Sequence, residues 1–385
     1  MLVEIGPDDD IEELYPLFED YHVDFEQAFP MVSMSESEDL AQVFEVWVAP
    51  EEVDEFLQEL RADKENVDYA QPNLKFSMID PVTVTANSPD RSEMDFGCND
   101  PGVADQWWFN PSKSNPMFKQ LKKMDPQKKA VVAILDTGVD ADHEDVEEVF
   151  SKSPATKDVQ GHGTHCAGLA GATTHNGKGM ASLNYKGKFI QIRSYQALDD
   201  GGSGTLEQIS ECIIKAAEDG ADVISMSLGG PAPFKPRVIY QAVQYARSMG
   251  VIVVAAAGNS NRDAAKGYYP AGIDGVICVA AVDRNGKRAS FSNWNNSLRM
   301  PISAPGKDIY SLKTGGGYVS MSGTSMATPI VAGLLGFMRS MDPNMSEAEA
   351  YKMLKTTGSS PKSGDKIGHL VAPEKIVDKM YKKAG

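Results

Sequence analysis

Five apolar runs rich in β-branched residues constrain the fold of this 385-residue chain more than any other feature. They are Ala130 to Leu135, Lys188 to Arg193, Asp222 to Ser227, Val251 to Ala256 and Val276 to Ala281. Between them lie stretches of helical period, such as Thr205 to Asp219, with Ile209, Cys212, Ile213 and Ala216 on one side, and Pro236 to Met249. Short apolar strands alternating with helices predict an α/β unit, a parallel sheet with helices on both faces. In such sheets the working residues gather at the carboxyl ends of the strands.

Residues 1–78 follow another pattern. Leu2 to Ile5 reads as a strand, and Asp8-Asp9-Asp10 supplies caps and first-turn charges for a helix to about Asp20. Residues 22–32 look extended, and Val43 to Val48 alternates as a strand. Pro50-Glu51-Glu52 opens a second helix with Val53, Phe56, Leu57 and Leu60 on one face, and Val67 to Phe76 is extended again. This βαββαβ order predicts a small α+β ferredoxin-like domain. Residues 79–97 carry Pro, Ser, Asp and Asn without periodicity and read as a linker, so the second domain spans 98–385.

Charge divides the same way. Residues 1–100 hold 27 acidic against 4 basic side chains, whereas the chain as a whole carries −17, so the remainder is mildly basic. The two parts are expected either to dock electrostatically or to carry an acidic solubilising face. Nothing resembles a nucleic-acid-binding chain, and no apolar run reaches membrane-spanning length. Cys98, Cys166, Cys212 and Cys278 contain no Cys-x-x-Cys pair and no zinc spacing. Met1-Leu2-Val3-Glu4-Ile5 leads straight into acidic residues rather than a secretory signal. The protein is therefore expected in the cytoplasm, or else secreted or periplasmic with a signal peptide already removed.

Four polar residues stand in glycine-containing turns beside apolar elements. Asp136, in Asp136-Thr137-Gly138, directly follows the strand ending at Leu135. His162 begins a small-residue helix in Gly161-His162-Gly163-Thr164-His165-Cys166-Ala167-Gly168, where Cys166 breaks the dinucleotide fingerprint. Asn259 ends Ala256-Ala257-Gly258-Asn259. Ser325 stands in Gly323-Thr324-Ser325-Met326-Ala327-Thr328-Pro329, ahead of an apolar helix, where free N–H groups favour an oxyanion. Taken singly, each is most simply a cap or turn residue. An α/β-hydrolase is disfavoured because its nucleophile comes first in the chain and its Gly-x-Ser-x-Gly is broken here by Ala327. His143-Glu144 lacks the second histidine of a zinc peptidase.

Together these motifs resemble those of the subtilisin-like serine proteases, the subtilases, in family order over roughly residues 98–345. Asp, then His, then Ser is subtilisin's own chain order. The resemblance implies a serine endopeptidase with Ser325 as nucleophile, His162 as base, Asp136 as its orienting partner and Asn259 as oxyanion donor. It implies that Ser227, Leu228, Gly229 and Gly258 on one flank, and Gly202, Ser203 and Gly204 on the other, bind an extended polypeptide substrate as an added strand. Tyr268 falls near the expected floor of the primary side-chain pocket, and Cys166 beside His162 implies sensitivity to thiol reagents. Asp100, Asp145 and Asn176 match the family's tight calcium site, and Asp283 a weaker second one. The front domain resembles a subtilase propeptide, an inhibitor of its own protease, with a candidate processing site in the linker. The alternative is a latent enzyme that keeps this domain as a binding module.

Overall fold

The computed structural model describes residues 1–79, 81–83, 91, 93–151 and 153–384. Four of the five apolar runs become strands much as expected, while the second begins later, at Ile190. They lie in one seven-stranded parallel sheet ordered His369–Leu370, Pro301–Pro305, Val276–Val282, Ile252–Ala256, Val223–Met226, Ala130–Asp136 and Ile190–Gln196. Successive side chains leave a strand on opposite faces. Val132, Ile134, Val223, Val254 and Val279 enter the core shared with helices His162–Gly171 and Thr324–Met341. Their neighbours Ala133, Leu135, Ile224, Val253 and Ala280 enter the core shared with helices Leu206–Glu218 and Arg237–Ser248. Burial on both faces is why these runs are continuously apolar instead of alternating.

Helix Thr324–Met341 is buried along its whole length. Pro329 lies inside it and has no N–H to offer the carbonyl of Ser325. That carbonyl instead accepts from Ser227 Oγ at 2.8 Å. Chain chemistry in the helix thus ties its first turn to the end of strand Val223–Met226.

The front sheet is antiparallel, ordered Asp24–Gln27, Val43–Trp47, Leu2–Glu4 and Tyr69–Gln71, the strand order of a ferredoxin-like unit. Val3, Val46 and Ala70 pack beneath the helices Tyr15–Asp20 and Val53–Ala62 through Phe18, Phe56 and Leu60. Leu2 and Val43 point the other way, into the core built on Leu206–Glu218 and Arg237–Ser248. The extended stretch from Val67 to Phe76 divides at Pro72, which ends the pairing with Leu2–Glu4. Lys75–Met78 leaves the front sheet and pairs elsewhere. Of the expected linker, residues 80, 84–90 and 92 lie outside the described residues, and Val82–Thr83 forms a strand.

Side chains from the front sheet cap the two helices beneath it. Gln71 Oε1 accepts from the Arg237 N–H at 3.0 Å, and Asn73 Oδ1 from the Glu207 N–H at 3.2 Å. Glu4, 2% exposed, accepts from Arg237 Nη2 at 2.6 Å and from Gln241 Nε2 at 3.1 Å. Burial outweighs Arg237 and raises the Glu4 carboxyl to about 7. Burial, with the Glu45 and Glu211 charges, raises Glu207 to about 7 as well. Both groups therefore favour a proton when the domains are docked, so docking gains below the ordinary glutamate value and loses as pH rises towards 7. After correction for intrinsic rate, amide-exchange protection at Arg237 is expected to fall between pH 5 and pH 8. The double variant Glu4→Gln, Glu207→Gln should flatten that dependence.

Candidate active site

Asp136 is the last residue of strand Ala130–Asp136, and His162 opens helix His162–Gly171. The two elements meet because Gly163 has no side chain: a β-carbon there would stand 2.0 Å from the Gly138 carbonyl oxygen. His162 Nδ1 and Asp136 Oδ1 lie 2.7 Å apart, with both side chains fully buried. Asp136 Oδ1 also accepts the Thr137 N–H at 2.8 Å. A buried carboxylate on Nδ1 fixes the ring's orientation and leaves Nε2 as its second nitrogen.

Ser325 stands in the first turn of helix Thr324–Met341. Its Oγ lies 3.1 Å from the Ser227 carbonyl oxygen and 3.2 Å from that of Ile79. Asn259 Oδ1 accepts from the Thr324 N–H at 2.9 Å and its Oγ1 at 3.1 Å, which fixes the amide plane. Its Nδ2 and the Ser325 N–H border the space that a side chain at Gly323 would fill, 3.1 Å and 3.6 Å from a β-carbon placed there. Two N–H groups thus lie close together beside the serine, the arrangement an oxyanion would need.

The strand that left the front sheet lies here. Lys75–Met78 pairs antiparallel with Ser203–Thr205 on one side and Leu228–Pro231 on the other. Phe76 stands opposite Gly204, Ser77 opposite Ser203 and Gly229, and Met78 opposite Leu228. Gly202 accepts the Met78 N–H at 2.8 Å, and Ser227 accepts that of Ile79 at 3.5 Å. Beyond Ile79, Val82–Thr83 pairs with Met321 and Ser322. Ser227, Leu228, Gly229, Gly202, Ser203 and Gly204 therefore line one groove, with the chain's own backbone along it. Tyr268 is buried with its ring turned inward: β-carbons at Gly258 and Gly229 would lie 2.6 Å and 3.2 Å from it.

Cys166 is fully buried, with its sulfur near Asp136 and His162. Burial, together with the Asp136 charge, pushes its thiol well above the ordinary value, so it is held as the uncharged thiol. The described structure contains no disulfide: all four cysteines are free.

Asp100, Asp145 and Asn176 come together from three segments. Asp100 accepts the N–H groups of His175 at 2.7 Å and Asn176 at 3.0 Å, and Asp145 accepts Asn176 Nδ2 at 2.8 Å and the Met180 N–H at 2.8 Å. Burial raises both carboxyls, Asp145 to about 6. Lys178, on the same loop, turns its ammonium to Glu147 and the Glu144 carbonyl instead. Asn176 Oδ1 meanwhile accepts the Lys178 N–H at 2.9 Å, so the grouped oxygens that face a common point are those of the two buried carboxylates, with no lysine between them. Asp283 lies apart from this group. Its Oδ1 accepts the N–H groups of Asn285 and Lys287, as a turn residue does.

Sequence reading missed the side chains that hold these groups in place. Asp158 accepts from Thr137 Oγ1, the Gly161 N–H, the Thr164 N–H and Thr164 Oγ1, all at 2.7–2.9 Å. It thereby joins the Asp136 turn to the start of the His162 helix. His165, fully buried and lowered to about 3 by burial, directs Nε2 to the carbonyls of Ile309 and Val319. His165 stands inside the quoted glycine-rich stretch with no role read for it there, and only a polar residue just ahead of that helix start hints at Asp158. Asp158→Asn would turn an N–H₂ towards donors, so a loss of about 2–4 kcal/mol is expected in chemical denaturation. Peptidase activity should fall with it.

A sequence model of the subtilase family matches residues 127–371. Thermitase from Thermoactinomyces vulgaris is 40% identical over 228 residues, covering 57% of this chain and 78% of that protein. Subtilisin DY from Bacillus licheniformis is 38% identical over 236 residues, covering 60% and 83%. A protease structure from Pseudoalteromonas arctica superposes with a TM-score of 0.65 at 28% identity, over 74% of this chain and 99% of that one. The chain belongs to the subtilase family and is a subtilisin-like serine endopeptidase.

Proposed function

We propose that this chain cuts polypeptides bound as an added β-strand, and that its own N-terminal domain is a propeptide inhibitor whose tail is its first substrate. The carrying observation is the Ile79 carbonyl oxygen 3.2 Å from Ser325 Oγ, in a strand paired on both flanks of the groove. Ser325 Oγ attacks the carbonyl carbon while His162 takes its proton and returns it to the leaving amine; water then releases the acyl group by the same route. Asp136 holds the imidazole and stabilises its cation. The Asn259 amide and the Ser325 N–H bind the developing oxyanion, and loss of one such donor costs about 10²–10³ in rate, subtilisin included.

The described chain on both sides of the Ile79–Asp80 bond supports that bond as the processing point. Incubation of the full chain should remove 79 residues, read by intact mass, while Ser325→Ala stays whole. Persistence of both would favour a domain retained as a binding module. Cleavage of both would remove the serine mechanism.

Calcium is the ion that Asp100, Asp145 and Asn176 would hold, with loop carbonyls, and its role there is to neutralise two buried carboxylates and fasten three segments. Asp283 is the candidate for a second, weaker site. Chelation is expected to lower the melting temperature by roughly 5 °C, the effect of removing a ligand present at a hundred times its dissociation constant. An unchanged melt would remove the calcium claim.

A further inference from the structure

We propose that Tyr318 is a positioning residue: it holds a β-hairpin in place as the recognition strand for substrate residues on the far side of the cut bond. The hairpin consists of Ile309–Leu312 and Tyr318–Ser322, paired from Leu312 opposite Tyr318 to Ile309 opposite Met321. Its second strand has an outer edge, and Val82 and Thr83 pair on that edge with Ser322 and Met321. Pairing along this edge requires the hairpin to keep one orientation relative to Ser325, three residues beyond its end.

The hairpin's tip is glycine-rich and is tied to the body by the Gly315 N–H on Asp140 Oδ2 at 2.8 Å and by Thr314 Oγ1 on the Asp158 carbonyl at 2.6 Å. Gly315, Gly316 and Gly317 all have positive φ, and β-carbons placed on them would meet nothing within 4 Å. Its position is also set by side chains from elsewhere. At the base, His165 Nε2 faces the carbonyls of Ile309 and Val319. Nearer the tip, the Tyr318 hydroxyl donates to Glu144 Oε1 at 3.1 Å or Asp145 Oδ2 at 3.3 Å, one proton serving two carboxylates. The Tyr318 ring stacks on Tyr310 at 5.4 Å and meets the edge of His143, whose Nε2 bonds the Gly317 carbonyl at 2.9 Å. Gly179 makes room for the phenol, since a β-carbon there would stand 1.8 Å from its oxygen. One residue therefore links the Asp100–Asp145 cluster to the edge strand that receives the chain beyond Ile79.

This inference rests on the reading that residues 75–83 lie in the groove as a substrate does, and the test separates the two. In the intact chain carrying Ser325→Ala to block self-cleavage, Tyr318→Phe deletes the hydroxyl and keeps the stacked ring. Amide exchange of Val82, Thr83 and 318–322 is expected to accelerate about fivefold, the weight of one hydrogen bond, while exchange at 75–79 stays unchanged. Glu144→Gln should reproduce a smaller acceleration, and serves if Tyr318→Phe folds poorly. Equal acceleration of both segments, or of neither, overturns the proposal. In processed enzyme, Tyr318→Phe should raise KM severalfold, at unchanged kcat, for peptides with four residues beyond the cut bond. Peptides ending in a chromogenic leaving group at the cut bond should be unaffected. An equal rise for both peptides also overturns it. Failure of the substrate-like reading would appear separately, as cleavage of the wild-type chain at a bond other than Ile79–Asp80.

Discussion

The 2.7 Å contact between Asp136 and His162, made with no exposed surface on either side chain, is the interaction on which the rest of the structure depends. A carboxylate and an imidazole meet at that depth only if their backbones are held by other means, because neither is stable there alone. The parallel sheet provides one anchor by ending a strand at Asp136. Asp158 provides the other, gathering four donors from the Asp136 turn and the His162 helix. The absence of a side chain at Gly163 then lets the two segments close to contact.

A second constraint concerns the groove. The strands Ser203–Thr205 and Leu228–Pro231 each leave backbone groups unpaired towards the other, and Lys75–Met78 satisfies both. Exposed strand edges recruit whatever extended chain is available. The front domain supplies that chain covalently and fastens itself to two helices through Gln71, Asn73 and Glu4. The groove and the front domain are thereby one structural problem, solved by the same strand.

Much of this was legible in residues. The five apolar runs gave the parallel sheet because burial on two faces leaves no room for alternation, and the glycine-rich turns at Asp136, His162, Asn259 and Ser325 marked its working edge. The ferredoxin-like order was legible because helical and alternating periods are local. The division of Val67–Phe76 at Pro72 was not, since either sheet can accept an extended segment and only long-range pairing chooses. Pro301–Pro305 was missed because two prolines argue against a strand until they are seen at its ends.

Sequence by itself determined the residue types and chain order of the reactive groups, because an acid, a base, a nucleophile and an amide are chemical identities that folding does not alter. It also determined the fold class, because hydrophobic period reports burial. Tertiary structure alone decided which oxygen faces which donor. His165, Thr324 and Tyr318 act through partners 65 to 174 residues away, such as Glu144 for Tyr318. Nothing in a residue's own neighbourhood encodes a contact of that range. Tertiary structure likewise decided that Ile79 rests on Ser325, since two strand edges 23 or more positions apart in the chain create a place that only a third segment can fill.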